Sequence, residues 1–311
     1  MVNIVILDGY VTNPGDLDWK AIEALGKVTV YDRTPSELVV SRAIGAEIIL
    51  TNKCIFDAEV LAQLPKLRYI GLLATGMNNI DIPAANAQEI VVRNAIGYST
   101  PSVAQHVFAL LLELTNGVGR HSESVHNNDW ATALDWTYSH QSLIELQAKT
   151  LGIYGLGNIG QQVAKIGLAF GMKVIATRKN KNKPKPAGVT IVAEMELFSE
   201  SDVLTLHAPL TTENQHIINA TTLDEMKCSA FLINTGRGGL VHEADLKTAL
   251  EQGKIAGAAL DVLSIEPPEL DHILLNAPNC IITPHQAWAT RESRARLLNI
   301  VADNLKMFLE K

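Results

Sequence analysis

The sequence predicts an α/β protein built from two doubly wound parallel sheets, and three observations carry that prediction. Short apolar runs alternate with helix-like pieces over residues 1–98 and again from Thr150 onward. Between the two series, residues 115–149 lose the strand rhythm. The second series opens on Gly155-Leu156-Gly157-Asn158-Ile159-Gly160, with an apolar strand before it and a helical pattern after it. In that context G-x-G-x-x-G predicts a dinucleotide site. The first glycine allows a sharp turn, the second lets a pyrophosphate approach the backbone, and the third lets helix and strand pack closely. The helix runs through Val163, Ile166, Leu168 and Phe170 to Gly171, and its N-terminus offers unpaired N–H groups and the positive dipole end to phosphates.

In the first series, apolar runs fall at residues 4–7, 28–31, 48–50, 67–73 and 90–92, with a helical piece at 19–25 closed by Gly26. No phosphate-binding fingerprint occurs there, so this unit is expected to carry something other than the dinucleotide. Thr100 can cap a helix whose first position suits Pro101. That helix, through Leu114, is apolar on most sides, which predicts burial all round, between two domains or two subunits. His106 within it is expected to be a packed core histidine. Trp130, Trp136, Tyr138 and His140 then stand in a polar setting. They predict either an arm that covers a partner subunit or a surface excursion with partly buried aromatics. Strands of the second series follow the opening one at 151–154 and lie at 173–177, 189–192, 203–206, 230–234, 256–262 and 280–283, with a helix at 243–252 closed by Gly253. A last helix from Thr290 has Leu297, Ile300, Val301, Leu305 and Phe308 on one side and is expected to cross back to the first domain.

Composition narrows the function. In 311 residues, 47% hydrophobic and 19% charged, a large core can be buried. A net charge of -7 and a pI near 5.7 argue against a nucleic-acid binder. No apolar run is long enough to span a bilayer, and the first residues read as a strand rather than a leader. Cys54, Cys228 and Cys280 are odd in number and have no C-x-x-C spacing. They predict reduced, mostly buried thiols in a cytoplasmic protein, with no metal site.

Three strand ends of the second series carry polar side chains: Arg237 after 231–234, Glu266 after 260–262 and His285 after 281–283. Ligands of open α/β sheets bind outside the carboxyl ends of strands, so all three can converge on the mouth that holds the dinucleotide. Arginine offers a planar fork that matches a carboxylate. Histidine titrates near neutrality and can exchange a proton with a hydroxyl or carbonyl oxygen. A neighbouring glutamate would fix its tautomer and favour the imidazolium. The position that reads the cofactor ribose lies about 20 residues past the glycine turn and carries an acid in NAD enzymes. Here the sequence has Thr177-Arg178-Lys179, followed by Lys181, Lys183 and Lys185. The missing carboxylate and the basic run predict NADP(H) as the preferred cofactor, with NAD(H) possible.

GLGNIG, HAPLTTEN, NTGRGGLVHEADL, ALDVLSIEPP and TPHQAWAT, with LLATGMNNIDIPAAN at 72–86, resemble the signature segments of the D-isomer-specific 2-hydroxyacid dehydrogenases. The resemblance covers nearly the whole chain, and TPHQAWAT is most similar to the glycerate dehydrogenase (hydroxypyruvate and glyoxylate reductase) branch. It implies a Rossmann-type dinucleotide domain, 100–286, inserted into a flavodoxin-like substrate domain, 1–99 and 287–311. It implies that Arg237 holds the substrate carboxylate and keto oxygen, that His285 is the acid/base and that Glu266 is its partner. The turn at Thr75, Gly76 and Met77 would donate backbone N–H groups to the carboxylate. Asp261 would bind the nicotinamide carboxamide. Val103, His207, Ala208, Pro209, Thr235, Gly236 and Ala287 would line the cofactor. A homodimer built on the helix after Thr100 is implied too, its aromatic arm reaching the partner's active site, although that segment is the least well matched. Closure of the two domains would exclude water.

The family commonly reads V-D-E or V-N-E where this chain has Val241-His242-Glu243. His242 is expected to start a helix and face water, without chemistry. No regulatory extension follows the last helix, which argues against a long phosphoglycerate dehydrogenase. Glu266 rather than glutamine argues against a formate dehydrogenase. The implied reaction is hydride transfer to the keto carbon of a small 2-oxo acid, hydroxypyruvate first and glyoxylate second. Its rivals are D-lactate or phosphite oxidation on the same scaffold and a dinucleotide-sensing regulator on the same fold.

Overall fold

The computed structural model describes residues 1–180 and 183–310; Lys181 of the predicted basic run lies outside them. The chain divides into two compact units, one of residues 1–99 with 288–311 and one of residues 100–287.

The first unit is a parallel five-stranded sheet in the order β2-β1-β3-β4-β5. Its strands are β1 (Asn3–Ile6), β2 (Lys27–Val30), β3 (Ile48–Thr51), β4 (Tyr69–Leu72) and β5 (Val91–Arg93). Short helices α1 (Lys20–Glu23), α2 (Val39–Ala43), α3 (Ala58–Ala62) and α4 (Ile82–Ala87) connect them. The central strands β3 and β4 are buried throughout, as a sheet covered on both faces requires. Asp57 caps α3 by accepting from Val60 N at 2.9 Å, and Asp81 caps α4 from Ala84 N at 2.9 Å; such caps are each worth about 1 kcal/mol.

The second unit holds α5 (Thr100–Asn116) and α6 (Val118–His126), then a seven-stranded parallel sheet in the order β12-β11-β10-β9-β6-β7-β8. Its strands are β6 (Thr150–Tyr154), β7 (Lys173–Thr177), β8 (Val189–Ile191), β9 (Val203–Leu206), β10 (Phe231–Asn234), β11 (Gly257–Leu260) and β12 (Cys280–Ile282). Helices α7 (Asn158–Ala169), α8 (Glu194–Glu200), α9 (Ala220–Glu225) and α10 (Glu243–Glu251) lie between strands. The strand order reverses beside β6, so the turn after β6 sits at the topological switch point where such sheets bind ligands. The last helix, α11 (Arg291–Leu309), belongs to the first unit. There Leu297, Leu298, Val301 and Leu305 are at most 6% exposed, each worth roughly 1.5–3 kcal/mol of burial.

Within the single chain, Val103, Val107, Phe108, Leu110 and Leu111 of α5 face the core, while Pro101, Gln105 and Ala109 form an exposed stripe at four-residue spacing. In the following segment Trp136 is 85% exposed and Trp130 is exposed, while Tyr138 is half-buried. The thiols, expected to be mostly buried, are a correction: only Cys54 is buried, Cys280 is half-buried and Cys228 exposed. Helix α6 has no counterpart in the apolar pattern. It starts where Gly117 adopts a left-handed conformation (φ 56°), which breaks it from α5. Among the described residues no helix is long and apolar enough to cross a membrane, and no His/Cys/Asp/Glu group could hold a metal ion.

Candidate active site

The glycine turn follows directly from β6. Gly155 adopts φ +100°, and a Cβ there would meet Ala208 N at 2.5 Å. A Cβ on Gly160 would meet Gly155 O at 2.4 Å, so helix and strand close only without one. At Gly157 an added Cβ would meet nothing within 4 Å; it would stand in the open space in front of the N-terminus of α7. That N-terminus has no side-chain cap, which leaves its N–H groups at Asn158, Ile159 and Gly160 for an anion. Gly155 N and Leu156 N both donate to Thr177 O, at 3.2 and 3.1 Å, tying the turn to the end of β7.

The two adjacent strand ends supply further polar atoms. His207 N donates to Tyr154 O at 2.8 Å, and its ring Nε2 lies 2.9 Å from Thr205 Oγ1. Burial pushes the His207 imidazole down to about 3, so it is neutral. Its Nδ1, and Thr235 Oγ1 at the next strand end, are buried without a hydrogen-bond partner in the protein. A buried polar atom left unpaired costs roughly 1–3 kcal/mol, so both fit a polar ligand. The glycine cradle, the uncapped helix and these orphaned atoms together suit a dinucleotide. Half-exposed Ala208 and exposed Pro209 complete the β9 end, and Val103 is buried on α5.

At the end of β7, Thr177 is buried and Arg178 half-buried. The strand end itself contributes no acid at Thr177, Arg178 or Lys179, and its cations have partners. Arg178 donates to the carbonyls of Lys183 and Pro184, and Lys179 Nζ lies 2.5 Å from Glu213 Oε2. That ammonium holds the Glu213 carboxyl below its ordinary value.

The three chemistry-bearing residues come from the ends of β10, β11 and β12. Arg237 is exposed, with its guanidinium on the Gly236 carbonyl at 2.7 Å. Asn234, wholly buried, shapes this loop by accepting from Gly236 N at 3.0 Å and donating to Arg237 O at 2.9 Å. His285 Nδ1 lies 2.6 Å from Glu266 Oε2, and Glu266 Oε1 accepts from Leu263 N at 3.1 Å. A carboxylate can only accept, so Nδ1 carries a proton and Nε2 is left for a reacting group. Both side chains are about one-third exposed (32% and 30%), enough for a small molecule to reach them.

His285 sits at φ 50°, a conformation that L side chains avoid. Asp261, 1% exposed, fixes it there. Its oxygens accept from Thr283 Oγ1 at 2.6 Å, Gln286 N at 2.9 Å and Ala287 N at 2.8 Å, and its backbone O accepts from His285 N at 2.9 Å. Burial acts to raise this carboxyl, but hydrogen bonds from His106, Thr283, Ala287 and Gln286 outweigh it and hold the group below its ordinary value. The Asp261 carboxylate therefore anchors the His285 loop. His106 adjoins the same anchor, its Nε2 being 3.0 Å from Thr283 Oγ1 and 3.4 Å from Asp261 Oδ1. With the Thr283 hydrogen committed to Asp261, His106 is the donor. A histidine expected only to pack thus belongs to the loop's support.

Thr75, Gly76 and Met77 belong to the first unit, on the loop after β4. Thr75 Oγ1 donates to Ala95 O at 2.9 Å, Asn94 Nδ2 donates to Thr75 O at 2.6 Å, and Met77 is 40% exposed. His242 stands at the N-terminal boundary of α10 without a side-chain cap bond, half-exposed and 3.0 Å from Asp245.

Residues 108–287 match the family described as D-isomer specific 2-hydroxyacid dehydrogenase, NAD binding domain. The chain belongs to that family. It is 46% identical to a hydroxypyruvate reductase of Blautia hydrogenotrophica, over 99% of this chain and 97% of the relative. Among solved structures it resembles an acyclic imino acid reductase in complex with NADPH and D-Arg (31% identity, TM-score 0.86, 99% and 97% of the two chains). It also resembles a D-lactate dehydrogenase of Aquifex aeolicus complexed with NAD and lactic acid (30% identity, TM-score 0.83, 99% and 95%). Members of the family are oxidoreductases that move a hydride between a nicotinamide dinucleotide and C2 of a 2-oxo or 2-hydroxy acid, and this enzyme shares that cofactor class and chemistry.

Glu266→Gln is expected to move the pH profile of reduction to lower pH, and that of oxidation with it. The imidazolium loses its anionic partner, so the protonated form is less favoured. Initial rates across pH in both directions check this, and unmoved profiles would separate Glu266 from the proton transfer.

Proposed function

We propose that the enzyme reduces hydroxypyruvate, and secondarily glyoxylate, to the D-2-hydroxy acid, with NADPH preferred over NADH. The observation that carries the catalytic part is the 2.6 Å contact between His285 Nδ1 and Glu266, which leaves Nε2 as the proton-bearing atom at a strand end. When bound, the nicotinamide supplies the hydride to the keto carbon. His285, as imidazolium, gives its Nε2 proton to the carbonyl oxygen. Glu266 holds the ring and favours its charged form. Arg237 grips the carboxylate with its fork and stabilises the negative charge that develops on the keto oxygen. The backbone of Thr75, Gly76 and Met77 supplies further donors to the carboxylate. Residues 1–99 with 287–311 act as the substrate domain and 100–286 as the dinucleotide domain. The glycine turn, Val103, Thr177, His207, Ala208, Pro209, Thr235, Gly236 and Ala287 line the cofactor, and Asp261 meets the nicotinamide carboxamide. The likeness to a hydroxypyruvate reductase supports the substrate assignment.

The NADPH preference rests on the missing carboxylate after β7. A 2′-phosphate would meet no repulsion at Thr177. It would also offer Arg178 a charged partner in exchange for the Lys183 and Pro184 carbonyls, and charge-assisted bonds are the stronger ones. The proposed assembly is a homodimer in the cytoplasm. The exposed stripe of α5 and the exposed Trp130, Leu134 and Trp136 beyond it supply surface for such an interface.

The test is oxidation of NADPH and NADH across a panel of small 2-oxo acids, hydroxypyruvate, glyoxylate and pyruvate among them. Hydroxypyruvate is expected to give the highest kcat/KM. A higher value for pyruvate would favour the D-lactate type, and no turnover of any acid would favour a dinucleotide sensor. At saturating hydroxypyruvate, kcat/KM is expected to favour NADPH. Arg178→Ala should lower that ratio by about ten- to a hundredfold, the scale of one charge-assisted hydrogen bond. A wild-type ratio favouring NADH would overturn the preference, and an unchanged mutant ratio would remove Arg178 from it.

A further inference from the structure

The Leu263–Ser264 peptide group, on the loop that carries Glu266, packs against the loop that carries Arg237. Gly238, next to Arg237, lies so close to it that an added Cβ would stand 2.0 Å from Leu263 C and 2.3 Å from Ser264 N. Leu263 N donates to Glu266, the carboxylate that holds His285. The neighbouring Ser264 N donates to Glu243 Oε1 at 2.8 Å, and Ser264 Oγ lies 2.6 Å from Glu243 Oε2. The same Oε2 is 3.2 Å from Nε2 of His272, near the far end of the excursion after β11. Glu243 thus gathers both ends of the segment that carries Glu266 onto the first turn of α10. The Glu243 and His272 side chains are only 14% and 12% exposed.

We propose that Glu243 is a positioning residue for the acid/base pair: through Ser264 and His272 it holds the Glu266 loop in the register that puts Glu266 against His285. This rests on the reading of His285 as the acid/base. Glu243 touches neither the reacting atoms nor the cofactor cradle, and it acts through hydrogen-bond geometry rather than through its charge. The other titratable groups near it are His242 and Asp245, paired with each other on the same helix, and His216, whose ring centroid is 5.0 Å from that of His242. Their side-chain contacts are with one another and, for Asp245, with Ala220 N, while the link from Glu243 to the Glu266 loop runs through Ser264.

The test compares Glu243→Asp, Glu243→Gln and Glu243→Ala, with His285→Ala as reference. Glu243→Asp keeps the charge and the helix start but pulls the carboxylate back by one methylene, out of reach of Ser264 and His272 together. It is expected to lose up to about a hundredfold in kcat, the cost of a misplacement near 1 Å. Its reduction profile should move to lower pH, in the direction of Glu266→Gln, with the dissociation constant for NADPH kept. Glu243→Gln still offers an oxygen to Ser264 N and an amide to Ser264 Oγ, losing only the bond from His272 Nε2, which is the donor because Nδ1 accepts from Leu274 N, and should retain more activity than the aspartate. Glu243→Ala should resemble the aspartate variant or fall below it. Wild-type kcat in Glu243→Asp, or a lowered kcat with an unmoved pH profile, overturns the proposal, as does a glutamine variant worse than the aspartate. Should His285→Ala itself keep wild-type turnover, the underlying acid/base reading fails instead, and the two failures are told apart.

Discussion

His285→Ala is expected to cut turnover of the 2-oxo acid by roughly two to four orders of magnitude, the usual scale for a positioned acid/base. Reduction adds a hydride to C2 and needs a proton on the oxygen. With His285 absent, that proton must come from water. The side chain is about one-third exposed and its Nδ1 bond is to Glu266 alone among the recorded contacts, so its loss opens no core cavity. Thermal stability and NADPH binding should therefore be kept while kcat falls. The left-handed backbone at 285 is disfavoured for alanine as for histidine, and the Asp261 bonds that hold it come from neighbouring backbone groups that the substitution leaves in place. Stopped-flow or steady-state NADPH oxidation with hydroxypyruvate measures the effect, and a mutant near the wild-type rate would remove His285 from the chemistry.

Arg237→Ala is expected to lower kcat/KM for the 2-oxo acid by roughly 10²–10³, comparable with removing one donor to a developing oxyanion. The loss should appear both in KM, because the carboxylate clamp is gone, and in kcat, because charge on the keto oxygen is less well stabilised. Arg237→Lys should recover little, since an ammonium cannot reproduce a two-pronged fork. The side chain is exposed and its recorded contact is to the preceding carbonyl, so stability should hardly change. An unchanged kcat/KM would mean that the clamp lies elsewhere.

Much of this was legible in the sequence because backbone constraints leave residue-type signatures. Gly155, Gly157 and Gly160 are required by a positive φ, an open approach and a close contact, and each demand excludes a side chain. Strand ends were legible because β6, β9, β10 and β11 are buried on both faces and read as continuous apolar runs. What escaped is carried by single hydrogen bonds between residues far apart in the chain. Glu243 meets Ser264 and His272 across 21 and 29 residues, and His106 meets Thr283 across 177. No periodicity links such pairs. That Asp261 also ties down the His285 loop escaped for a related reason: an aspartate at a strand end looks the same in sequence whether or not it holds its own loop. The exposed stripe of α5 was hidden because proline and alanine at 101 and 109 count as apolar in a pattern yet cover little surface.

The division of the chain constrains the order in which it can acquire structure during synthesis. Residues 100–287 are contiguous, and their two ends meet where Ser102 Oγ donates to Ala287 O at 2.6 Å. That unit has every one of its strands once Ile282 has left the ribosome. The earlier-made residues 1–99 must wait longer. Their cluster around Ile4, Ile6, Leu50 and Tyr69 is completed by Leu297, Leu298, Val301 and Leu305 from α11, some two hundred residues downstream. Until then the first sheet has an uncovered apolar face, the kind of surface that holdase chaperones bind. The part of the molecule synthesised first is in this sense the part that matures last.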